Sequence, residues 1–297
     1  MKKFFLLLVG GSVIFASCNN QTGNTESEVA GTEAQADTTA TETSSPSLEE
    51  VWATEQVMEI PESVFYNADE RMLYVSNIVG DPSAKDGKGY ISKLSLEGEI
   101  VSKEWASGLH APKGMAMLKG TLYVTDIDAL VAIDSNGKIT NRYPVKGAKF
   151  LNDPVAVDNK ILFTDSRDNK IHALENGKLS VWKESGMSNP NGLEYQNGKV
   201  LLASNNLEVI TQDGESEVLA TGLDAGDGIG LVDDNSYLVS NWHGEVYYIE
   251  KGKDKVKLLD TKDQKINTAD ITYIPEENLM LVPTFMDNRV VAYRLNR

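Results

Sequence analysis

The chain has 297 residues, 41% hydrophobic and 24% charged, which is enough apolar material for one large domain or two small ones and too much for global disorder. Its 28 Lys and Arg stand against 44 Asp and Glu, a formal net charge of −16, and that repels phosphate backbones, so nucleic acid is not an expected partner. With one Cys and three His, Cys-rich zinc sites, disulfide frameworks and iron–sulfur clusters are excluded, and any metal has to be held mainly by oxygen.

Lys2 and Lys3 precede an apolar run from Phe4 to Ile14, then the small residues Ala16 and Ser17, then Cys18. This is the layout of a signal peptide, too short for a comfortable transmembrane helix. It also resembles the lipobox of bacterial lipoproteins, which implies residues 1–18 as a signal ending at a lipid-modified Cys18; an ordinary signal peptide with an incidental Cys is the alternative. Residues 19–50 are rich in Thr, Ser, Glu, Gln and Ala, contain no aromatic residue before Trp52, and carry seven acidic side chains with no basic one. They read as a disordered acidic tether. The expected setting is therefore the bacterial cell envelope: an exported protein touching the membrane through its lipid anchor only.

From Val51 onward one phrase recurs: a Pro or small polar opening, an apolar stretch, a turn, then a strand ending in Ser or Thr followed by Asn or Asp. The copies are Pro61 to Asn77, Pro112 to Asp126, Asn152 to Asp165, Pro190 to Asn205, Asp227 to Asn241, and Ala269 to Phe285 with an altered ending. The strand ends at Asn77, Asp126, Asp165, Asn205 and Asn241 recur at about the period of a four-stranded blade. Alternation of apolar and polar residues, with turn signals at short spacing, argues for strands throughout. Residues 51–297 are thus predicted to be all-β, a six-bladed β-propeller, and the protein is expected to be a monomer. The outer strand that closes the ring is expected from Trp52 to Ile60 or from Val290 to Leu295.

In such a ring two sets of residues share one mouth. The first leads each repeat: Glu62, Lys113, Asn152 with Asp153, Asn191, Asp227 and Asp270. The second comprises the strand ends and following loops, including Trp242 and His243. Carboxylates crowded around a narrow axis are strained unless something neutralises them. A hard divalent cation does so with Asp, Glu and Asn oxygens, and Glu62, Asn191 and Asp227 can supply such a shell, calcium being first expected and Mg, Mn or Zn alternatives. Turn capping by Asx residues is the competing explanation, but it does not account for Glu62. Trp242 can stack on a sugar ring or pack between blades; His243 can act as acid or base or serve at the surface, and His110 and His172 look structural. The loop from Ile78 to Tyr90 is long for a blade connection and can lie over the mouth.

Pro61-Glu62-Ser63-Val64-Phe65, Asn152-Asp153, Pro190-Asn191-Gly192-Leu193 and Asp227-Gly228-Ile229 resemble the blade motifs of the regucalcin/gluconolactonase family of six-bladed propellers, over about residues 51–297. The resemblance implies one divalent ion on Glu62, Asn191 and Asp227, with Asn152 contacting substrate. It further implies hydrolysis of a sugar lactone or related ester by metal-activated water, Asp227 accepting the proton. Family members carry an Arg two residues before the Asn-Asp pair to grip the sugar. Here Phe150 stands in its place, so the mouth is expected to lack that guanidinium and to prefer a less polar ligand. Lys113 either orients an anionic substrate or replaces the cation's charge. A non-catalytic propeller that binds a small ligand or a protein partner through the same mouth is the rival reading.

Overall fold

The computed structural model describes residues 45–211 and 213–297; Cys18, the signal and most of the tether lie outside the described residues. Six four-stranded antiparallel sheets follow one another along the chain. Blade 1 runs from Pro61 to Leu109, blade 2 from Pro112 to Pro144, blade 3 from Leu151 to Lys183, blade 4 from Leu193 to Thr221 and blade 5 from Gly226 to Asp260. Blade 6 takes three strands from Thr272 to Asn296 and its fourth from the first of the described residues. Each phrase found in the sequence is the hairpin of the two inner strands of one blade, so the repeat and the fold coincide.

The closing strand is Ser47–Ala53, antiparallel to Val290–Asn296, with Ser47 opposite Asn296 and Ala53 opposite Val291. This corrects two expectations. Val290–Asn296 is the third strand of blade 6, and four residues assigned by composition to the tether belong to the fold. The reason is physical: an outermost strand needs one apolar side chain every second residue at most. Leu48 and Trp52 turn inward, half-buried, while Glu49 and Glu50 stay exposed. The indole Nε1 of Trp52 donates to the carbonyl of Leu96 in blade 1 at 2.9 Å, which ties the seam across the closure.

Burial follows strand position. Met72–Asn77, the second strand of blade 1, is almost wholly buried, whereas its outermost strand Ile100–Leu109 is largely exposed. The core is a ring of apolar clusters, each filling the seam between neighbouring blades. Leu201, Leu207 and Val209 of blade 4 meet Ile229, Tyr237 and Val239 of blade 5. Val64, Leu73 and Val75 of blade 1 meet Ile274, Leu281 and Val290 of blade 6. Stability is thus distributed around the axis, and the inner strands are held rigid at the mouth.

Candidate functional site at the channel mouth

The Ser or Thr of three strand endings links one blade to the next. Thr164 Oγ1 accepts from the backbone N–H of Asp153 at 3.0 Å within blade 3 and donates to the carbonyl of Asn191, ahead of blade 4, at 3.0 Å. Ser240 Oγ accepts from Gly228 N–H at 2.9 Å and donates to the carbonyl of Ala269 at 2.8 Å. Thr125 Oγ1 donates to the carbonyl of Asn152. The hydroxyls therefore fix the backbones that carry the leading residues. Glycine completes the approach: a Cβ on Gly192 would stand 1.8 Å from the carbonyl oxygen of Asp227, and one on Gly228 would stand 2.1 Å from the backbone nitrogen of Ile271. No side chain fits at either place, so successive leading residues sit close together.

The Asn or Asp that follows the hydroxyl is occupied differently. Asp126 accepts from the backbone N–H of His110 at 2.9 Å and of Ala111 at 2.8 Å, and pairs with Arg142 at 3.0 Å. Asp165 accepts from the N–H groups of Lys149 and Phe150, both at 2.9 Å. Burial alone would push the Asp165 carboxyl up, but the neighbouring His172 imidazole and those N–H groups hold it below the usual range. Asn241 accepts from His243 N–H and Glu245 N–H and donates to the carbonyl of Leu223. These strand ends are structural clamps on the chain as it enters each inner strand.

The leading residues are buried without such partners. Glu62, Lys113, Asn152, Asp153 and Asp227 are each 6% exposed or less. Glu62 Oε2, Asn152 Oδ1, Asn191 Oδ1 and both carboxylate oxygens of Asp153 are buried with no hydrogen-bond partner. Native proteins rarely leave such atoms unpaired, and each calls for an explanation such as an ion or water. Asn191 Nδ2 donates to Asp227 Oδ1 at 2.9 Å, and Asp270 Oδ2 accepts from Ser63 Oγ at 2.5 Å. Burial, partly offset by the Lys113 ammonium and reinforced by Asp270, pushes the Glu62 carboxyl up to about 8. Burial with the charges of neighbouring acids raises Asp153 and Asp227 well above the carboxylate range. Burial raises Asp270 to about 7, its bond from Ser63 opposing. Burial also lowers the Lys113 ammonium, against the pull of Glu62, Asp126, Asp153 and Asp227.

Glu62, Lys113, Phe150, Asn152, Asn191, Asp227 and Trp242 all line one cleft of about 370 Å³. All seven residues singled out in the sequence as site residues are thus brought together. Among the described residues no three His, Cys, Asp or Glu side chains form a metal cage; the set singled out here has two acids, and its third donor is the Asn191 carboxamide. The unpartnered oxygens of Glu62, Asn152 and Asn191 fit a hard cation, which takes carboxylate and carboxamide oxygens alike. His243 is exposed and does not line the cleft. Pro82, from the long loop of blade 1, does.

Sequence reasoning missed three residues. Ser166 lies between Asn152 Nδ2, at 3.4 Å, and the carbonyl of Pro190, to which it donates at 2.7 Å. Glu194, three positions after Asn191 in the strand Leu193–Gln196, does not line the cleft, but burial pushes its carboxyl up to about 8. Arg167 lines the cleft and lies over the Phe150 ring, its guanidinium carbon 4.1 Å from the centroid, with Lys113 Nζ 4.5 Å from the same centroid. The expectation of a mouth without a guanidinium is therefore corrected. The loop after the second strand of blade 3 brings one in, and the aromatic ring carries it.

No family model and no curated relative matches the chain. Among solved structures the chain is similar to a structural-genomics protein provisionally assigned as a gluconolactonase, at 15% identity and a TM-score of 0.61, over 84% of this chain and 92% of that one. It is also similar to a catalytically inactive variant of virginiamycin B lyase from Staphylococcus aureus bound to quinupristin, at 15% identity and a TM-score of 0.59, over 84% of this chain and 99% of that one. A nidogen/laminin complex matches at 16% identity and a TM-score of 0.59, over 72% of this chain and 84% of that one. At such identities the likeness establishes the six-bladed propeller fold.

Proposed function

We propose that the mouth is the active site of a metal-dependent lactone or ester hydrolase, in a protein held to the bacterial envelope through a lipid on Cys18. The observation that carries this reading is the convergence of unpartnered, buried oxygens from Glu62, Asn152 and Asn191 beside Asp227 in one cleft. Glu62, Asn191 and Asp227 would hold one divalent cation, calcium before Mg, Mn or Zn. Bound there, the ion polarises the substrate carbonyl and lowers the pKa of attacking water. Asn152, steadied by Ser166, presents its carboxamide to the substrate. Asp227 takes up the proton, oriented by the Asn191 amide. Trp242 and Phe285, whose rings meet edge to face at 5.8 Å, offer the apolar wall against which a ring packs.

A binding module without turnover is favoured by one feature, the buried Lys113, which already supplies a positive charge among the acids. Measurement of metal content, thermal unfolding with and without chelator, and a panel of lactones and esters decide between the two. A cation that binds only the folded state raises Tm by mass action. Metal-loaded protein that opens no lactone or ester, yet binds a small molecule released by Glu62→Gln, assigns the mouth to binding alone.

A further inference from the structure

The Phe150–Arg167 pair suggests what kind of ligand the cleft takes. Arg167 is exposed and makes neither a hydrogen bond nor an ion pair among the described residues; the neighbouring acid, Asp168, is taken up by Lys149 and by Lys170, the latter at 2.7 Å. A guanidinium 4.1 Å above the Phe150 centroid is at stacking distance, and stacking engages its flat face while leaving its in-plane N–H edge free, a fork that matches two oxygens of one oxyanion. Lys113, 1% exposed, brings a second positive group to the same ring and likewise forms no ion pair among the described residues. The cleft is therefore divided. Its basic side comes from blades 2 and 3 through Lys113, Phe150 and Arg167, and its acidic side from blades 1 and 5 through Glu62 and Asp227. A divalent cation on the acidic side matches the charge of those two carboxylates; Lys113 still faces the buried acids Asp126 and Asp153, and it is the Arg167 guanidinium that is left without an ion pair among the described residues.

We propose that Arg167, carried on Phe150 and assisted by Lys113, is an oxyanion-binding residue, and that the ligand of this cleft carries a carboxylate or phosphate in addition to its reacting group. The proposal rests on the cleft being the ligand site and deepens the hydrolase reading by naming the substrate class. A neutral sugar lactone would leave the guanidinium edge facing water; an acidic one fills it. Charge-assisted bidentate bonds are roughly twice as strong as neutral ones, so the preference is for charge and not for hydroxyl count.

The test is calorimetric titration of the purified full chain, loaded with calcium, with D-glucuronate, D-glucose 6-phosphate and D-glucose. At least one of the two anions is expected to bind ten-fold or more tightly than glucose, and which one does identifies the oxyanion. Arg167→Gln should cut that affinity ten-fold or more, and Arg167→Lys, which keeps the charge without the fork, should fall between. Arg167 is exposed, so neither variant threatens folding. Anions no tighter than glucose, unchanged anion affinity in Arg167→Gln, or binding of none of the three would overturn the proposal. The two readings fail separately. Equal hydrolysis of neutral gluconolactone by wild type and Arg167→Gln, with no anion preference, removes this inference and leaves the hydrolase, whereas anion binding lost in Arg167→Gln, with no lactone opened, keeps this inference and removes the hydrolase.

Discussion

Asp153 and Asp165 belong to the same hairpin of blade 3, both are carboxylates, and both are buried, yet they are used in opposite ways. Asp165 spends its oxygens on the backbone of Lys149 and Phe150 and its carboxyl is held low. Asp153 finds no partner for either oxygen and its carboxyl is driven high. Asp126, whose oxygens accept from backbone N–H groups, and Glu62, with an unpartnered Oε2, differ in the same use of their oxygens. One ring of polar side chains holds the mouth together, while the other is held in place by it and kept electrostatically unsatisfied. Burial of an acid therefore says little by itself; what distinguishes a clamp from a site is whether its oxygens are already taken.

The largest expected effect lies in the unsatisfied ring. Asp227→Asn keeps a ligating oxygen but cannot accept a proton, so turnover of a lactone substrate should fall by about 100-fold to 10,000-fold with KM little changed. Steady-state kinetics on the metal-loaded protein check this. A comparable loss in Asp165→Ala, measured per folded molecule, would erase the distinction between the rings.

Stability should separate them with opposite signs. Asp165→Ala leaves two part-buried N–H groups without their acceptor and should cost about 2 kcal/mol in urea unfolding. Glu62→Gln removes a carboxyl whose proton is held against its ordinary pKa, and metal-free protein should gain on the order of 2 kcal/mol at neutral pH. The same variant should lose the rise in Tm that calcium confers on wild type.

The pH dependence follows from the same shifts. Glu62, at about 8, and Asp270, at about 7, are raised above their unfolded values, so the folded state keeps protons that the unfolded chain has released. Their contribution is present below the unfolded pKa near 4 and is lost as pH rises toward 8, each at no more than about 1.4 kcal/mol per pH unit. Asp165, depressed, acts the other way and loses its contribution only as pH falls below the ordinary Asp range. Metal-free protein should thus weaken between pH 4.5 and 8 in denaturant titrations, and saturating calcium should flatten that slope. A slope unaffected by calcium would place the cation away from Glu62.

The blades and the leading residues were legible because both repeat. Six copies of one hairpin expose their period, and Glu62, Asn191 and Asp227 stand at the same point of their copies. The strand Ser47–Ala53 was hidden because an outermost strand buries only Leu48 and Trp52, so its composition resembles that of the tether before it. Arg167 was hidden for another reason. Its meaning lies in a contact with Phe150 across 16 intervening residues, and nothing in Asp165-Ser166-Arg167-Asp168 taken alone distinguishes it from an ordinary turn. The roles of the strand-end Asn and Asp were hidden too, since their partners are backbone N–H groups, which every residue but proline offers.

The smallest predicted effect tests how the two rings are joined. Thr164 Oγ1 serves both sides, accepting from Asp153 N–H and donating to the Asn191 carbonyl, each at 3.0 Å. Thr164→Val keeps the shape of the side chain and removes only the hydroxyl, so the loss is that of a hydrogen-bonded bridge between blades 3 and 4, about 1–2 kcal/mol of folding stability. The inter-blade apolar contacts of Val155, Leu162, Leu193 and Leu202 remain, and the fold should survive. If the bridge also sets where Asn191 stands, calcium affinity should fall several-fold in the same variant, because a displaced carboxamide no longer completes the shell with Glu62 and Asp227. Calcium titration followed by calorimetry separates the outcomes: a stability loss with unchanged affinity would make Thr164 a fastener of blades only, while a loss of both shows that the strand-end motif positions the site it borders.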